Sequence, residues 1–259
     1  MMTQENRIAA IFDVDGTLLA GSSMERIFVQ FLYRRGEIGW REGLQFLAGS
    51  LEALARGRAP FASNKSYLRG KDATQIRRLA RDCFVTEIAP RLLPAAMERL
   101  RWHQRAGHFV LLLSGSLDLL LEPLAEHLGI GARIGAEIES NDLRLTGRIV
   151  GIHPLGNAKA ECLRLMATTL SFNLKRSFAY ADQYSDRFLL RMVGNPVIVN
   201  GDAALQRYAH DRGWMSEDFA ATPPRSESRR SEFRLQADSL QSSSFSAKTD
   251  IPRNSHGKV

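Results

Sequence analysis

The sequence predicts an α/β protein in which helices cover both faces of a largely parallel sheet and an all-helical cap is inserted. Three observations support this prediction. An apolar run at residues 8–12 ends abruptly in polar residues, as a buried strand does. Residues 22–100 then carry apolar side chains at helical spacing with almost no strand pattern. From residue 108 onward strand and helix patterns alternate, which favours βαβ units.

The remaining elements follow in chain order. Three later apolar runs predict strands of the same sheet, namely "HFVLLL", "SFAYAD" and "PVIVN". Helical patterns accompany them in "LDLLLEPLAEHLG", "NAKAECLRLMATTL" and "DAALQRYAHDRGW". Residues 132–151 have β-branched side chains around Asn141 and Asp142, which predicts a small hairpin.

These elements predict a domain organisation. The α/β core is expected at residues 1–21 and 101–215, and the helical cap at residues 22–100. Residues 216–259 are rich in Ser, Arg and Pro with few large apolar side chains. Such a segment cannot repay the entropy of folding, so we expect a disordered, basic tail there.

Composition excludes several classes of protein. The chain has 259 residues, of which 44% are hydrophobic, and its longest apolar stretch, residues 109–124, is interrupted by Ser, Gly and Asp, so we expect no membrane span. The N-terminus lacks a secretory apolar region, which favours the cytoplasm. Cys83 and Cys162 form no disulfide framework. The net charge of +7 is scattered among acids, which favours a basic surface over a nucleic-acid site and suits anionic substrates.

Polar side chains follow three of the predicted strands. Asp13 and Asp15 come after the first strand, Ser114 after the second, and Asp182, with Asp186 four residues on, after the third. Ligands of open α/β sheets bind outside the carboxyl ends of the strands, so we expect these side chains to share one crevice. Crowded carboxylates repel one another, and a bound divalent cation removes that penalty. Oxygen ligands favour Mg²⁺.

This arrangement indicates chemistry at a phosphoryl group. One carboxylate can attack phosphorus and form an aspartyl-phosphate, and a second can exchange a proton with the leaving alkoxide and the attacking water. The charge of the transferring oxygens needs positive partners, which Ser114, nearby backbone N–H groups and Lys159 are placed to provide.

Together these residues resemble the motifs of the haloacid dehalogenase superfamily. "FDVDGTL" resembles the first motif, and Ser114, Lys159 and the Asp182–Asp186 pair resemble the second, third and fourth motifs in the family's order. The resemblance covers roughly residues 8–214 and is closest to the phosphoserine-phosphatase-like branch, which has a helical cap between its first two motifs. It implies a Rossmann-like core and a phosphatase that uses Mg²⁺.

The resemblance also implies a role for each matching residue. Asp13 would be the nucleophile and a metal ligand, and Asp15 the acid/base, with its backbone carbonyl on Mg²⁺. Asp182 would be the other protein ligand of the metal. The supporting roles are metal-site support by Asp186, phosphate binding by Ser114, Gly115 and Lys159, and bracing of the loop by Thr17.

The sequence gives less information on which residues determine substrate specificity. Phosphoserine-cleaving members have an acidic residue at the position of Ser22, and the nearest carboxylate here is Glu25. Arg58 and Arg69 in the cap segment could meet a second anionic group of the substrate or lie on the surface. The fourth motif departs from the common Gly-Asp-Ser and has Gln183 after the aspartate.

Three functions stay open at this point. The first is a phosphomonoesterase for a small phosphorylated metabolite, and the second is a phosphotransferase with the same covalent aspartate. The third is a non-catalytic regulator that binds an acidic partner through the basic tail. The sequence carries no signal for the oligomeric state.

Overall fold

A seven-stranded sheet lies at the centre of the structure, which is a computed structural model that describes residues 7–55 and 64–220. The strand order is β4-β3-β2-β1-β5-β6-β7, and every neighbouring pair is parallel except β3 with β4. The strands are β1 Ala9–Phe12, β2 Phe109–Leu117, β3 Ala132–Asn141, β4 Arg144–Val150, β5 Phe178–Ala181, β6 Asn195–Val199 and β7 Met215–Glu217.

The central strand β1 is buried along its whole length between β2 and β5. Phe12, its last residue, is level with Leu112 of β2 and Tyr180 of β5. The residues that follow Phe12, Leu112 and Tyr180 therefore lie at one edge of the sheet, where a ligand crevice is expected, and Ser114 lies inside β2 rather than after it.

Helices surround the sheet. They are α1 Met24–Arg34, α2 Trp40–Ala55, α3 Ala73–Cys83, α4 Pro94–Arg105, α5 Asp118–Leu128, α6 Asn157–Leu170, α7 Arg187–Leu190 and α8 Ala203–His210. Among the described residues, none of the helices is both long and apolar enough to cross a membrane.

The two faces of the sheet bury different side chains, because successive strand residues point to opposite sides. On one face Ile11 and Ala179 belong to an apolar cluster with Leu163 of α6. On the other face Phe12 stacks on Tyr180 with ring centroids 4.4 Å apart, and His103 of α4 packs edge-on against both rings. Helices thus cover both faces, and the predicted α/β class is confirmed.

Between β1 and β2 the described residues form helices and no further strand of the sheet. Helix α3 of this insertion is joined to α5 by charged side chains: Arg77 and Arg81 pair with Glu122 at 2.6 and 2.7 Å, and Arg81 also pairs with Glu126. These pairs are solvent-exposed, so each contributes little to stability.

The predicted boundary between cap and core at residue 100 falls inside α4. This helix packs on the sheet, where Arg99 Nη2 donates to both carboxylate oxygens of Glu217 at 2.6 and 2.7 Å. Helical periodicity shows that a segment is a helix but does not show which neighbour covers it, so the boundary was placed too late.

The predicted tail also begins too early. Ser216 and Glu217 belong to β7 and pair with Ile198 and Val199, and Phe219 is buried. The average hydrophobicity of residues 216–259 is low, so it gave no indication that the first few of these residues pair with the sheet or are buried. The rest of the predicted disordered tail, residues 221–259, lies outside the described residues.

The predicted hairpin exists as β3 and β4, with Asp142 and Leu143 at positive φ in its turn. It also extends the sheet, because β3 pairs in parallel with β2. Backbone hydrogen bonds from Gly70 to Leu145 and from Ala73 to Leu143, both 2.7 Å, join the hairpin to the helical insertion.

Candidate active site

The loop after β1 places two carboxylates at the carboxyl edge of the sheet. The Asp13 amide donates to the Tyr180 carbonyl at 3.0 Å, which continues the pairing of β1 with β5. The chain then turns, and the amides of Leu18 and Leu19 donate to the Val14 carbonyl at 2.9 and 3.0 Å. The turn exposes the Asp13 and Asp15 side chains to one cavity.

Gly16 is required by this turn. Its φ is +84°, and a Cβ at this position would lie 2.0 Å from Asp182 Oδ2. The side chain of Asn200 holds the same residue, because its Nδ2 donates to the Gly16 carbonyl at 2.9 Å. Thr17 is fully buried, but its hydroxyl has no hydrogen-bond partner among the described residues. No side-chain hydrogen bond of Thr17 therefore supports its predicted role in bracing the loop.

Lys159 links two buried carboxylates. It lies in the first turn of α6, and its Nζ donates to Asp13 Oδ1 at 2.7 Å and to Asp186 Oδ2 at 2.6 Å. Burial alone would lower the pKa of Lys159, but the two carboxylates outweigh burial and raise it. The ammonium is therefore charged at neutral pH and holds Asp13 in one orientation.

Burial has the opposite effect on Asp186. It raises the pKa of this carboxyl to about 6, although Lys159 acts to lower it. The Asp13 carboxylate adds to the rise because it carries the same charge.

Asp15 is held differently from Asp13. Its Oδ1 accepts a hydrogen bond from the Met24 amide at 2.7 Å, and its Oδ2 accepts one from Ser116 Oγ at 2.6 Å. Burial, followed by repulsion from Asp13, raises the pKa of Asp15 to about 6. This value suits a group that must both donate and accept a proton near neutral pH.

Asp182 lies beside Asp13. Burial and the negative charge of Asp13 raise the pKa of Asp182 to about 8. Its Oδ1 is buried without a hydrogen-bond partner in the described part of the chain. A carboxyl that is difficult to ionise and has an unsatisfied oxygen is a natural ligand for a cation.

These oxygens fit Mg²⁺, which takes carboxylate and carbonyl ligands and keeps several waters. The set expected from the sequence, the Asp13 and Asp182 carboxylates with the Asp15 carbonyl, would leave the Asp15 carboxylate out of the metal site, and that carboxylate already accepts two hydrogen bonds. Within residues 7–55 and 64–220, no group of three or more His, Cys, Asp and Glu side chains is arranged to hold a metal. A protein set of two carboxylates and one carbonyl does not need such a group.

A cavity of about 200 Å³ brings most of the predicted site residues together, although Asp182 is not among the residues that line it. Six of the residues predicted for catalysis, phosphate binding or metal support line it, namely Asp13, Asp15, Ser114, Gly115, Lys159 and Asp186. Gln183 of the fourth motif also lines it, as do several residues that were not predicted, including Ser23, Lys65, Ser116, His153 and Ser185.

The four residues predicted as candidates for substrate specificity differ in their position relative to the cavity. Glu25 lines the cavity, whereas Ser22 is exposed and its neighbour Ser23 lines the cavity instead. Arg69 is also exposed and does not line the cavity; its Nε donates to the Thr146 carbonyl at 3.4 Å. Arg58 lies outside the described residues.

Lys65 is the most informative residue that the sequence analysis missed. It is 1% exposed, and its Nζ donates to Glu25 Oε1 and Oε2 at 2.6 and 2.5 Å. Tyr67 donates to Glu25 Oε1 at 2.9 Å. No sequence signal pairs Glu25 with a lysine forty residues later, because their contact depends on how the cap helices pack.

For Ser116 the sequence contains a weak indication of a place in the site. It stands two residues after Ser114, in the part of β2 between Leu113 and Leu117 where the register with β3 shifts. Its amide donates to Ser114 Oγ at 3.1 Å, and its hydroxyl donates to Asp15.

Comparison with known proteins agrees with this geometry. The family model for haloacid dehalogenase-like hydrolases matches residues 10–191. The chain belongs to this family. A protein named phosphoserine phosphatase SerB1 from Mycobacterium tuberculosis is 33% identical over 218 residues, which cover 82% of this chain and 70% of that protein.

Two further comparisons extend the family relationship. A histidinol-phosphatase from Neisseria meningitidis is 27% identical over 222 residues, which cover 81% of this chain and 98% of that protein. A crystal structure of a Bordetella pertussis Tohama I protein of unknown function matches with a TM-score of 0.71 at 25% identity, covering 83% of this chain and 99% of that one. The predicted resemblance to phosphoserine-phosphatase-like hydrolases is confirmed, and the relatives support a phosphatase.

Proposed function

We propose that this haloacid dehalogenase-like hydrolase is a Mg²⁺-dependent phosphomonoesterase that acts on a small phosphorylated metabolite through an aspartyl-phosphate at Asp13. The observation that carries the proposal is the buried Asp13–Lys159–Asp186 arrangement, with N–O distances of 2.7 and 2.6 Å, beside Asp15 in one cavity. Relatives named phosphoserine phosphatase and histidinol-phosphatase support phosphomonoesters as the substrate class.

The first step forms one bond and breaks one. A carboxylate oxygen of Asp13 attacks phosphorus, the ester P–O bond breaks, and the leaving alkoxide takes the proton of Asp15. The pKa of Asp15, raised to about 6, keeps a usable share of this carboxyl protonated near neutral pH. Ser116 and the Met24 amide hold it in position at 2.6 and 2.7 Å.

The second step reverses these roles. The Asp15 carboxylate takes a proton from water, the water oxygen attacks phosphorus, and the acyl-phosphate bond breaks to regenerate the Asp13 carboxylate. Phosphate then leaves the cavity. The nucleophile and the acid/base are therefore both restored after each turnover.

Two groups can bind the phosphoryl oxygens throughout. An ammonium has three hydrogens, and Lys159 gives two of them to Asp13 and Asp186, so one remains for the substrate among the described contacts. Ser114 Oγ accepts from the Ser116 amide at 3.1 Å, which leaves its own proton to donate. When bound by Asp13, Asp182 and the Asp15 carbonyl, Mg²⁺ would add positive charge at the phosphoryl oxygens.

The test is phosphate release from a panel of phosphomonoesters with and without Mg²⁺. Asp13→Asn should lower turnover by at least about a thousandfold, since it removes the nucleophile. Asp211→Asn is the matched control, because the Asp211 side chain is 72% exposed and does not line the cavity. Full activity of Asp13→Asn, or turnover that needs no divalent cation, would contradict the proposal.

A further inference from the structure

A second and larger cavity lies beside the catalytic cavity, between α1 and α2. Its volume is about 990 Å³, against about 200 Å³ for the catalytic cavity. Ser23 and Glu25 line both cavities, so the two meet at the first turn of α1. Ligand cavities typically have about 300–1,000 Å³. The catalytic cavity therefore suits a phosphoryl group and its first neighbours, and the larger cavity has room for a whole organic group.

Apolar and aromatic side chains line the larger cavity together with polar ones, among them Arg26, Arg34 and Glu42. Five of the apolar and aromatic side chains come from α1, α2 and the segments next to these helices, namely Val29, Tyr33, Ile38, Phe46 and Tyr67. Helix α1 buries its other side through Ile27, Phe28, Phe31 and Leu32. Val29 and Tyr33, four residues apart, therefore turn a second apolar surface toward the cavity. Covering such a surface with an apolar ligand is favourable, because it removes apolar area from water.

The junction of the two cavities is polar but electrically balanced. Glu25 accepts hydrogen bonds from Lys65 and from Tyr67, the latter at 2.9 Å. The carboxylate and the ammonium compensate each other, so the leaving group needs no charge of its own to be accepted at this point. A leaving group that extends from phosphorus into the larger cavity would meet Glu25 and its partners first, and then the apolar side chains with Arg26, Arg34 and Glu42 beside them.

We propose that the substrate is a phosphorylated amphiphile, whose ester oxygen is followed by a short polar region and then by an apolar group that occupies the cavity between α1 and α2. This inference rests on the proposed phosphatase function and narrows its substrate class. The phosphoryl group binds among Asp13, Ser114 and Lys159, and the leaving group passes Glu25 to reach Val29 and Tyr33.

The first experiment compares propyl phosphate with decyl phosphate, the latter below its critical micelle concentration. Each methylene that leaves water is worth about fourfold in binding. Burial of only about three of the seven additional methylenes would raise kcat/KM by about sixtyfold. Equal kcat/KM for the two esters, with phosphate released from both, would overturn the amphiphile inference and leave the phosphatase function intact.

Variants of the cavity residues test where the apolar group of the substrate binds. Val29→Trp fills the cavity and should reduce the decyl-to-propyl ratio of kcat/KM by at least about tenfold. Tyr33→Asp, at a side chain that is 69% exposed and so tolerates a charge, should reduce the same ratio. Val85→Trp is the matched control, since Val85 is 68% exposed and does not line the cavity. An unchanged ratio in both cavity variants would place the apolar group elsewhere and overturn the inference.

A binding measurement separates this inference from the proposed reaction. Decylphosphonate, which is not hydrolysed, should bind at least about tenfold more tightly than propylphosphonate in calorimetric titrations. Val29→Trp should remove most of that preference, whether or not the protein turns over any ester. Absence of the preference in the natural chain overturns the inference, and absence of turnover with the preference intact overturns only the phosphatase function.

Discussion

Gly16 provides the sharpest test of the site geometry, because replacing it by alanine changes only one methyl group. The new Cβ would lie 2.0 Å from Asp182 Oδ2 and 2.6 Å from its Cγ, whereas ordinary contact begins near 3.4 Å. The Asp182 carboxylate must therefore move by about 1 Å or more. The backbone at φ +84° adds about 1–2 kcal/mol of strain for any residue with a Cβ.

The two consequences of Gly16→Ala can be measured separately. A displacement of about 1 Å in an active site costs about a hundredfold in rate, so kcat/KM should fall by that factor and the Mg²⁺ concentration for half-maximal activity should rise. The free energy of unfolding should fall by about 1–2 kcal/mol. Phosphate release over a Mg²⁺ series and urea unfolding measure these effects.

Gly21→Ala is the matched control. Gly21 has nearly the same φ, +80°, but a Cβ there meets nothing within 4 Å. Its variant should lose a similar free energy of unfolding and keep its activity. If Gly16→Ala retained the natural kcat/KM and the natural Mg²⁺ dependence, the position of Asp182 would be irrelevant to catalysis, and the metal site proposed here would be refuted.

Three further predictions concern charge, pH and backbone strain. Lys159→Met leaves the Asp13 and Asp186 carboxylates without their shared cation, so it should lower turnover at least about a hundredfold and the free energy of unfolding by about 3 kcal/mol; natural turnover would contradict this. Burial lowers the pKa of His103 to about 2, so the unfolded chain takes up this proton first: the contribution of His103 to stability is largely present above about pH 6.5 and falls by about 1 kcal/mol by pH 5.5. Because the raised pKa values of Asp15, Asp182 and Asp186 act in the opposite direction, the measured quantity is the difference between proteins. On going from about pH 6.5 to about pH 5.5, the free energy of unfolding in urea should change by about 1 kcal/mol less favourably in the natural chain than in His103→Gln, and equal changes in the two proteins would exclude this role of His103. Leu143→Gly should raise the melting temperature, because the exposed Leu143 has φ +64° and glycine relieves about 0.5–1 kcal/mol of strain; a lower melting temperature would refute this.

The part of the site that lies on the sheet could be predicted from the sequence. A buried strand that ends in Asp13 and Asp15 fixes where those side chains emerge, and neighbouring parallel strands bring Ser114 and the segment around Asp186 to the same edge. The hydrogen-bond partners of these side chains are known only from the structure. That the Asp15 carboxylate accepts its two hydrogen bonds from Ser116 and Met24 depends on distances that no spacing in the sequence specifies.

The part of the site that lies on the helical insertion could not be predicted in the same way. Helical periodicity identifies the buried face of each helix, but not which residues of different helices meet. Lys65, which is 1% exposed and lies just before the turn Ser66–Leu68, was therefore not predicted, and Arg69, for which the sequence left a surface position open, is exposed and does not line the catalytic cavity. For the same reason α4 was divided at residue 100, since its buried Arg99 and His103 find their partners on β5 and β7.

Helix α1 connects catalysis with substrate selection. Its first amide, that of Met24, holds the Asp15 carboxylate at 2.7 Å, and the next residue, Glu25, lines both cavities. One turn further on, Val29 faces the apolar cavity. An apolar group that binds there would stabilise α1 in the position that orients the Asp15 carboxyl. Binding energy from a remote part of the substrate would thus be expressed at the proton-transfer step, so a truncated substrate should lose kcat as well as affinity.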